Sequence, residues 1–162
     1  MLRIDRLRQH QKDAVNKSIE NDFSSGVHFH ATGTGKSWIS FYILSYFYKK
    51  YIDNELCFSE KPDPLIVFWI CERKSILKEQ FDRNILAERG FHEFLKKSFN
   101  IINYSENKSK SWVSSINSAR FWKKPILVII NRGFLTSQNK YTGIVSPIHL
   151  ILHDECHSIT NN

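Results

Sequence analysis

A chain of 162 residues, 41% hydrophobic and 24% charged, suits one globular domain with a sizeable core, and no internal repeat or low-complexity tract interrupts it. The formal charge of +7, from 23 basic and 16 acidic residues, favours polyanionic partners, because each phosphate contact releases condensed counterions. Three cysteines, Cys57, Cys71 and Cys156, form no C-x-x-C pair and are odd in number, which fits a reducing compartment with free thiols and gives no reason to expect a disulfide framework.

In chain order, Met1 to Arg8 holds Arg3, Arg6 and Arg8, but Asp5 interrupts and no apolar core follows, so it is not a signal peptide and an intracellular protein is expected. Arg8 to Asn21 reads as a helix ending near Ser24-Ser25-Gly26, where Gly26 can supply the turn into a first strand, Val27 to Ala31. The ten residues from Phe29 to Trp38, FHATGTGKSW, then form a P-loop: strand, phosphate-cradling turn and helix N-terminus. Thr32, Gly33, Thr34 and Gly35 make the turn, and its glycines permit the close backbone approach that a Cβ would obstruct. Lys36 reaches the β and γ phosphates of a nucleoside triphosphate, and the Ser37 hydroxyl ligates Mg²⁺. His30 stands where the general pattern has its first glycine.

From Lys36 to Tyr51 apolar and aromatic residues occupy nearly every face, as in a buried helix. The aromatic-rich part, Trp38 to Tyr48, is too short to span a bilayer and is followed by Lys49-Lys50. Asp53 to Pro64 reads as a long surface loop. Leu65 to Cys71 is a continuous apolar run and suits a buried parallel strand. Leu77, Phe81 and Ile85 mark a following helix that runs to Ala87, with Gly90 as its C-cap. Phe99 to Asn103 is a third strand, Ser105 to Ser111 a polar loop, Trp112 to Trp122 helical, and Ile126 to Ile130 a fourth buried strand.

Gln138 to Pro147 is a loop, and Ile148 to Leu152 is an apolar strand running into His153-Asp154-Glu155-Cys156-His157. A buried parallel strand delivers Asp154 to the carboxyl edge of the sheet, where it can hold Mg²⁺. The adjacent Glu155 is placed to orient and deprotonate the water that attacks the γ-phosphate. His149, His153 and His157 recur every fourth residue, but the surrounding apolar residues alternate as in a strand, so these rings need not converge on a metal.

ATGTGKS paired with DECH resembles motifs I and II of the superfamily two helicases and translocases, whose P-loops often lack the first glycine. Leu7 to Val15 resembles the Q motif of that family, L-R-x-x-Q-x-x-A. The resemblance implies that Gln11 reads adenine, since its amide offers one donor and one acceptor, with Arg8 one turn back on the same face. ICERKSILKEQ resembles motif Ia, which implies nucleic-acid backbone contacts for Arg73 and Lys74. After the fourth strand, Asn131 stands where the family usually has threonine, and Arg132 is an equally good phosphate contact. His157 matches the histidine that couples the ATP site to the nucleic-acid site and the partner domain, and Cys156 reads as a small packed residue.

The expected architecture is an α/β domain with a parallel sheet and helices on both faces, a RecA-like first motor domain over residues 1–162. Its landmarks are the Q-motif helix at about 7–21, the P-loop at 30–37 and the DECH box at 154–157. Because the chain stops at Asn162, just after motif II, it is expected to lack the second RecA-like domain with its arginine fingers. The implied function is an ATP-dependent, Mg²⁺-dependent helicase or translocase on DNA or RNA. A nucleotide-regulated binding module without turnover and another P-loop enzyme, such as a kinase, are the alternatives.

Overall fold

The computed structural model describes residues 4–26, 28, 36–71, 90–103, 112–131 and 147–153, and of Lys36, Ser37, Cys71, His92, Asn103, Trp112 and Asn131 it describes the backbone. The chain divides into two units, Met1–Lys61 and Pro62–Asn162.

In the first unit a 3₁₀ turn, Ile4–Arg6, leads to helix α1, Gln9–Glu20, with Arg8 in extended conformation as its N-cap. Gln11, Ala14 and Val15 are buried, three and four residues apart as one helix face requires, and α1 packs on helix α2, Lys36–Ile52. In α2 five successive residues, Phe41, Tyr42, Ile43, Leu44 and Ser45, are all buried. Such a run covers every face, so α2 has no solvent stripe along that stretch, and the Ser45 hydroxyl is satisfied by donating to the Tyr42 carbonyl at 2.9 Å.

Both helices end in the same backbone device. Asp22 takes a left-handed φ of 50°, its N–H donates to the Ile19 carbonyl, and the Phe23 N–H donates to the Ser18 carbonyl. Asn54, with φ 58°, repeats the pattern: its N–H meets the Tyr51 carbonyl and the Glu55 N–H the Lys50 carbonyl. These paired bonds are the Schellman motif, which satisfies carbonyls left over at a helix end. The ending of helix α1 thus falls at Asp22-Phe23, just before the Ser24-Ser25-Gly26 stretch where the sequence places it, and the strand into which Gly26 is expected to lead lies outside the described residues, save His28. Phe23 packs edge-on against Phe47 with ring centroids 5.3 Å apart, and Lys50 Nζ lies 3.1 Å from Asp22 Oδ1.

Among the described residues of the second unit there are four parallel strands: β1, Ile66–Cys71; β2, Asn100–Asn103; β3, Ile126–Asn131; and β4, Leu150–His153. Their order is β2-β3-β1-β4, so β1 lies between β3 and β4. The parallel α/β architecture read from the sequence is therefore present. Ile66, Phe68, Ile126, Val128 and Ile130 on one face pack with Ile116 of helix α4, Trp112–Ala119, which follows helix α3, Phe91–Ser98, in the chain. Val67, Trp69, Leu127 and Ile129 point the other way and are also buried, so both faces of β1 and β3 are covered.

Helix α3 has no counterpart in the sequence reading. Gly90 has the left-handed φ of 73° that a C-cap uses, and the same residue is the N-cap of α3, whose Phe91 and Leu95 are buried one turn apart. The helical stretch expected over 112–122 is present in two parts: α4 runs to Ala119, a 3₁₀ turn covers Arg120–Trp122, and Lys123 ends it with φ 51°. β4 also starts later than expected. His149 already serves the Ile66 backbone twice, donating its own N–H to the Ile66 carbonyl and accepting the Ile66 N–H on ring Nδ1, each at 2.9 Å. The regular ladder begins at Leu150, opposite Val67. The expected strand at 27–31, the helix to Ala87 and the loop at 105–111 lie outside the described residues, save His28.

Candidate functional site

At the start of α1 the Gln11 side chain folds back over the helix end. Its Oε1 accepts the Arg8 backbone N–H at 2.9 Å, the second half of a capping box in which a residue at the third helical position satisfies the cap. Gln11 is 5% exposed, whereas the Arg8 side chain is exposed. The amide expected to read adenine thus already has its carbonyl committed within its own helix. Further along α1, Ser18 Oγ and His28 Nε2 share a hydrogen bond of 2.9 Å. That bond ties the helix bearing Gln11 to His28, which precedes the glycine-rich sequence at 32–35.

Thr32, Gly33, Thr34 and Gly35 lie outside the described residues. On their far side α2 opens at Lys36, the residue at which the sequence places the start of the helix. The unbonded N–H groups of a first helical turn and its positive dipole end suit a phosphate, so the backbone of Lys36 and Ser37 fits a nucleotide.

The second unit offers a ligand-binding edge. Because all four strands are parallel, their carboxyl ends share one side of the sheet, and the register sets them level: Cys71 pairs with Asn131, and Ile70 pairs with both Ile130 and His153. Open parallel sheets bind ligands outside this edge. In sequence, β1 is followed by Glu72-Arg73-Lys74, β3 ends in Asn131 before Arg132, and β4 is followed by Asp154-Glu155. Arg73, Lys74, Arg132, Asp154, Glu155 and His157 themselves lie outside the described residues. The three chain segments assigned to nucleic acid and to Mg²⁺ leave neighbouring strand ends.

His149 sits at the opposite, amino end of β4. Burial lowers its pKa from the ordinary value, and the Ile66 N–H that donates to Nδ1 requires that nitrogen to be bare, which places the ring proton of the neutral form on Nε2. This histidine therefore aligns β4 on β1. Among the described residues no group of three His, Cys, Asp or Glu side chains could hold a metal ion, and no helix is long and apolar enough to cross a membrane.

An all-parallel sheet with its strand ends level, in a chain where a helix opens at the lysine of a glycine-rich turn, defines an α/β domain of the RecA-like kind. A family model described as type III restriction enzyme, res subunit, matches residues 4–162, and the chain belongs to this family, ResIII. No curated protein and no solved structure matches the chain. ResIII domains are helicase-like ATPase domains of superfamily two, which generally use ATP and Mg²⁺, so the coarse assignment is a helicase-like domain, with a nucleic-acid substrate implied by the family.

Proposed function

We propose that this chain is the first motor domain of an ATP-dependent helicase or translocase acting on DNA or RNA. The level carboxyl ends of β1, β3 and β4 support this reading most directly, because Asp154, Arg132 and Arg73 each follow one of them closely in sequence.

In this reading Thr32 to Gly35 cradle the phosphates, and Lys36 neutralises charge at the β and γ positions. Ser37 and Asp154 hold Mg²⁺, which when bound offsets phosphate charge as a Lewis acid. Glu155 orients the attacking water and takes its proton. Gln11 and Arg8 contact the base, and His157 links this site to the nucleic acid, which Arg73, Lys74, Asn131 and Arg132 hold by its backbone. A second RecA-like domain supplies the arginine that meets the γ-phosphate in the transition state, a group worth roughly 10³ to 10⁵ in rate.

Two substitutions test the reading in the complete protein. Lys36→Ala is expected to weaken MgATP binding in titration, while Glu155→Gln is expected to keep binding and abolish nucleic-acid-stimulated hydrolysis. Unchanged MgATP affinity in folded Lys36→Ala protein would remove the P-loop assignment. Nucleotide binding with no turnover in the wild type would favour a regulatory binding module.

A further inference from the structure

After α4 the chain reads Arg120-Phe121-Trp122-Lys123-Lys124, and it places two large aromatic side chains in solvent: Phe121 is 88% exposed and Trp122 is 78% exposed. Fully presented rings of this size are unusual on a soluble surface and cost hydration free energy unless something covers them. Their surroundings are cationic. Lys124 Nζ donates to the Lys96 carbonyl at 2.9 Å, which brings the last turn of α3, with the exposed Lys96 and Lys97, against this segment. Among the described residues from Phe91 to Lys124 there are thus five Lys and Arg side chains, and Glu93, near the start of α3, is the one acid. The segment leads into the amino end of β3, so it lies at the end of the sheet opposite the strand ends where the nucleotide and motor contacts are proposed.

We infer that Phe121 and Trp122, framed by Arg120, Lys123, Lys96 and Lys97, form a second nucleic-acid site that takes a single strand. The chemistry selects this ligand over an apolar protein surface. Flat faces that stack on rings, together with a regular line of negative charge that meets the lysines, are what a single-stranded nucleic acid offers. A duplex keeps its base faces stacked inside and cannot use the rings in this way. Lys123, held at φ 51°, closes the 3₁₀ turn that carries the aromatic pair, so the rings project from a short turn past the end of α4.

The test uses the whole chain and a labelled oligothymidylate of about 20 nucleotides, long enough to cover the patch, followed by fluorescence anisotropy. Phe121→Ala with Trp122→Ala should lower affinity tenfold or more, since stacking contributes on the order of tenfold or better per base. Trp122→Phe should retain most of the binding. Arg120→Gln with Lys123→Gln should flatten the dependence of log affinity on log salt by about 0.7 for each phosphate that is no longer neutralised. The same aromatic variant should leave the thermal melting curve in place, because neither ring is buried. If Phe121→Ala with Trp122→Ala binds the oligonucleotide as the wild type does, the inference is wrong. Loss of binding confined to Arg73→Ala with Lys74→Ala would place the strand at the carboxyl edge, overturning this site and leaving the motor reading intact. If the aromatic variant instead only abolishes self-association in sedimentation, a second copy covers the rings and the inference is overturned.

Discussion

The Gln11 amide has one carbonyl oxygen, and in the structure the Arg8 N–H uses it. Capping and base reading can be separated by charge and shape. Gln11→Glu keeps an acceptor for the cap but loses the amide donor, so stability should hold while preference for ATP over GTP falls. Gln11→Ala should lose both, with about 1 kcal/mol of stability gone from the lost cap. Nucleotide titration and urea unfolding on the two variants check this, and equal adenine preference in Gln11→Glu and the wild type would leave Gln11 as a cap alone. His149 is a second residue with a measurable signature. Its folded-state pKa is lowered, so the unfolded chain takes up this proton first as pH falls. The stabilising contribution is full above about 6.5 and is lost as pH drops through the lower folded-state value. His149→Asn keeps an acceptor near Nδ1 without titrating, so the fall in urea midpoint from about pH 7.5 to about 5.5 should be smaller in this variant than in the wild type.

At the scale of elements, the two Schellman endings place Asp22 and Asn54 where glycine is the easiest fit. A left-handed conformation costs an L-residue about 1 to 2 kcal/mol, asparagine least, and glycine gives back part of the gain through the freedom of its unfolded chain. Asn54→Gly should therefore raise stability by about 0.5 kcal/mol, read as a higher urea midpoint at unchanged slope, while Asn54→Ala should lower it. Asp22 makes the poorer test, because its carboxylate also meets Lys50. Elements were readable in the sequence where burial is complete on all sides: α2, β1 and β3 are long apolar runs with clear flanks, and their ends fall within a residue of expectation. Helix α3 was not readable, since its eight residues carry a single helical repeat of apolar residues, Phe91, Phe94 and Leu95. The helical stretch to Trp122 is found where the sequence places it, but its division into α4 and a 3₁₀ turn is not legible in the periodicity. Neighbouring residues on a helix point about 100° apart, so Phe121 and Trp122 beside three cations fit one buried face poorly, and the chain turns them outward.

For the whole molecule, the parallel α/β class could be argued from apolar strands alternating with helical stretches, but the order β2-β3-β1-β4 could not, because buried runs of Ile, Val and Leu look alike and carry no address. The candidate site divides in the same way. Motif spacing marks Lys36, Ser37, Asp154 and Glu155 as candidates for chemistry, whereas the cap made by Gln11 and the strand-aligning ring of His149 depend on contacts that exist only after folding. The central position of β1 also bears on how the chain is made. Translation delivers Ile66–Cys71 first among the four strands, yet both of its hydrogen-bonding sides belong to strands that emerge last, β3 and β4. No native partner reaches it until Ile126–Asn131 has been synthesised, and its second side stays open until Leu150–His153 follows. Helices α1 and α2 can meet as soon as they are made, and β2 gains its neighbour β3 after one short crossover. Among the described strands, the IVFWIC segment therefore has the longest exposure to wrong pairing, and it is the one for which a holding chaperone matters most.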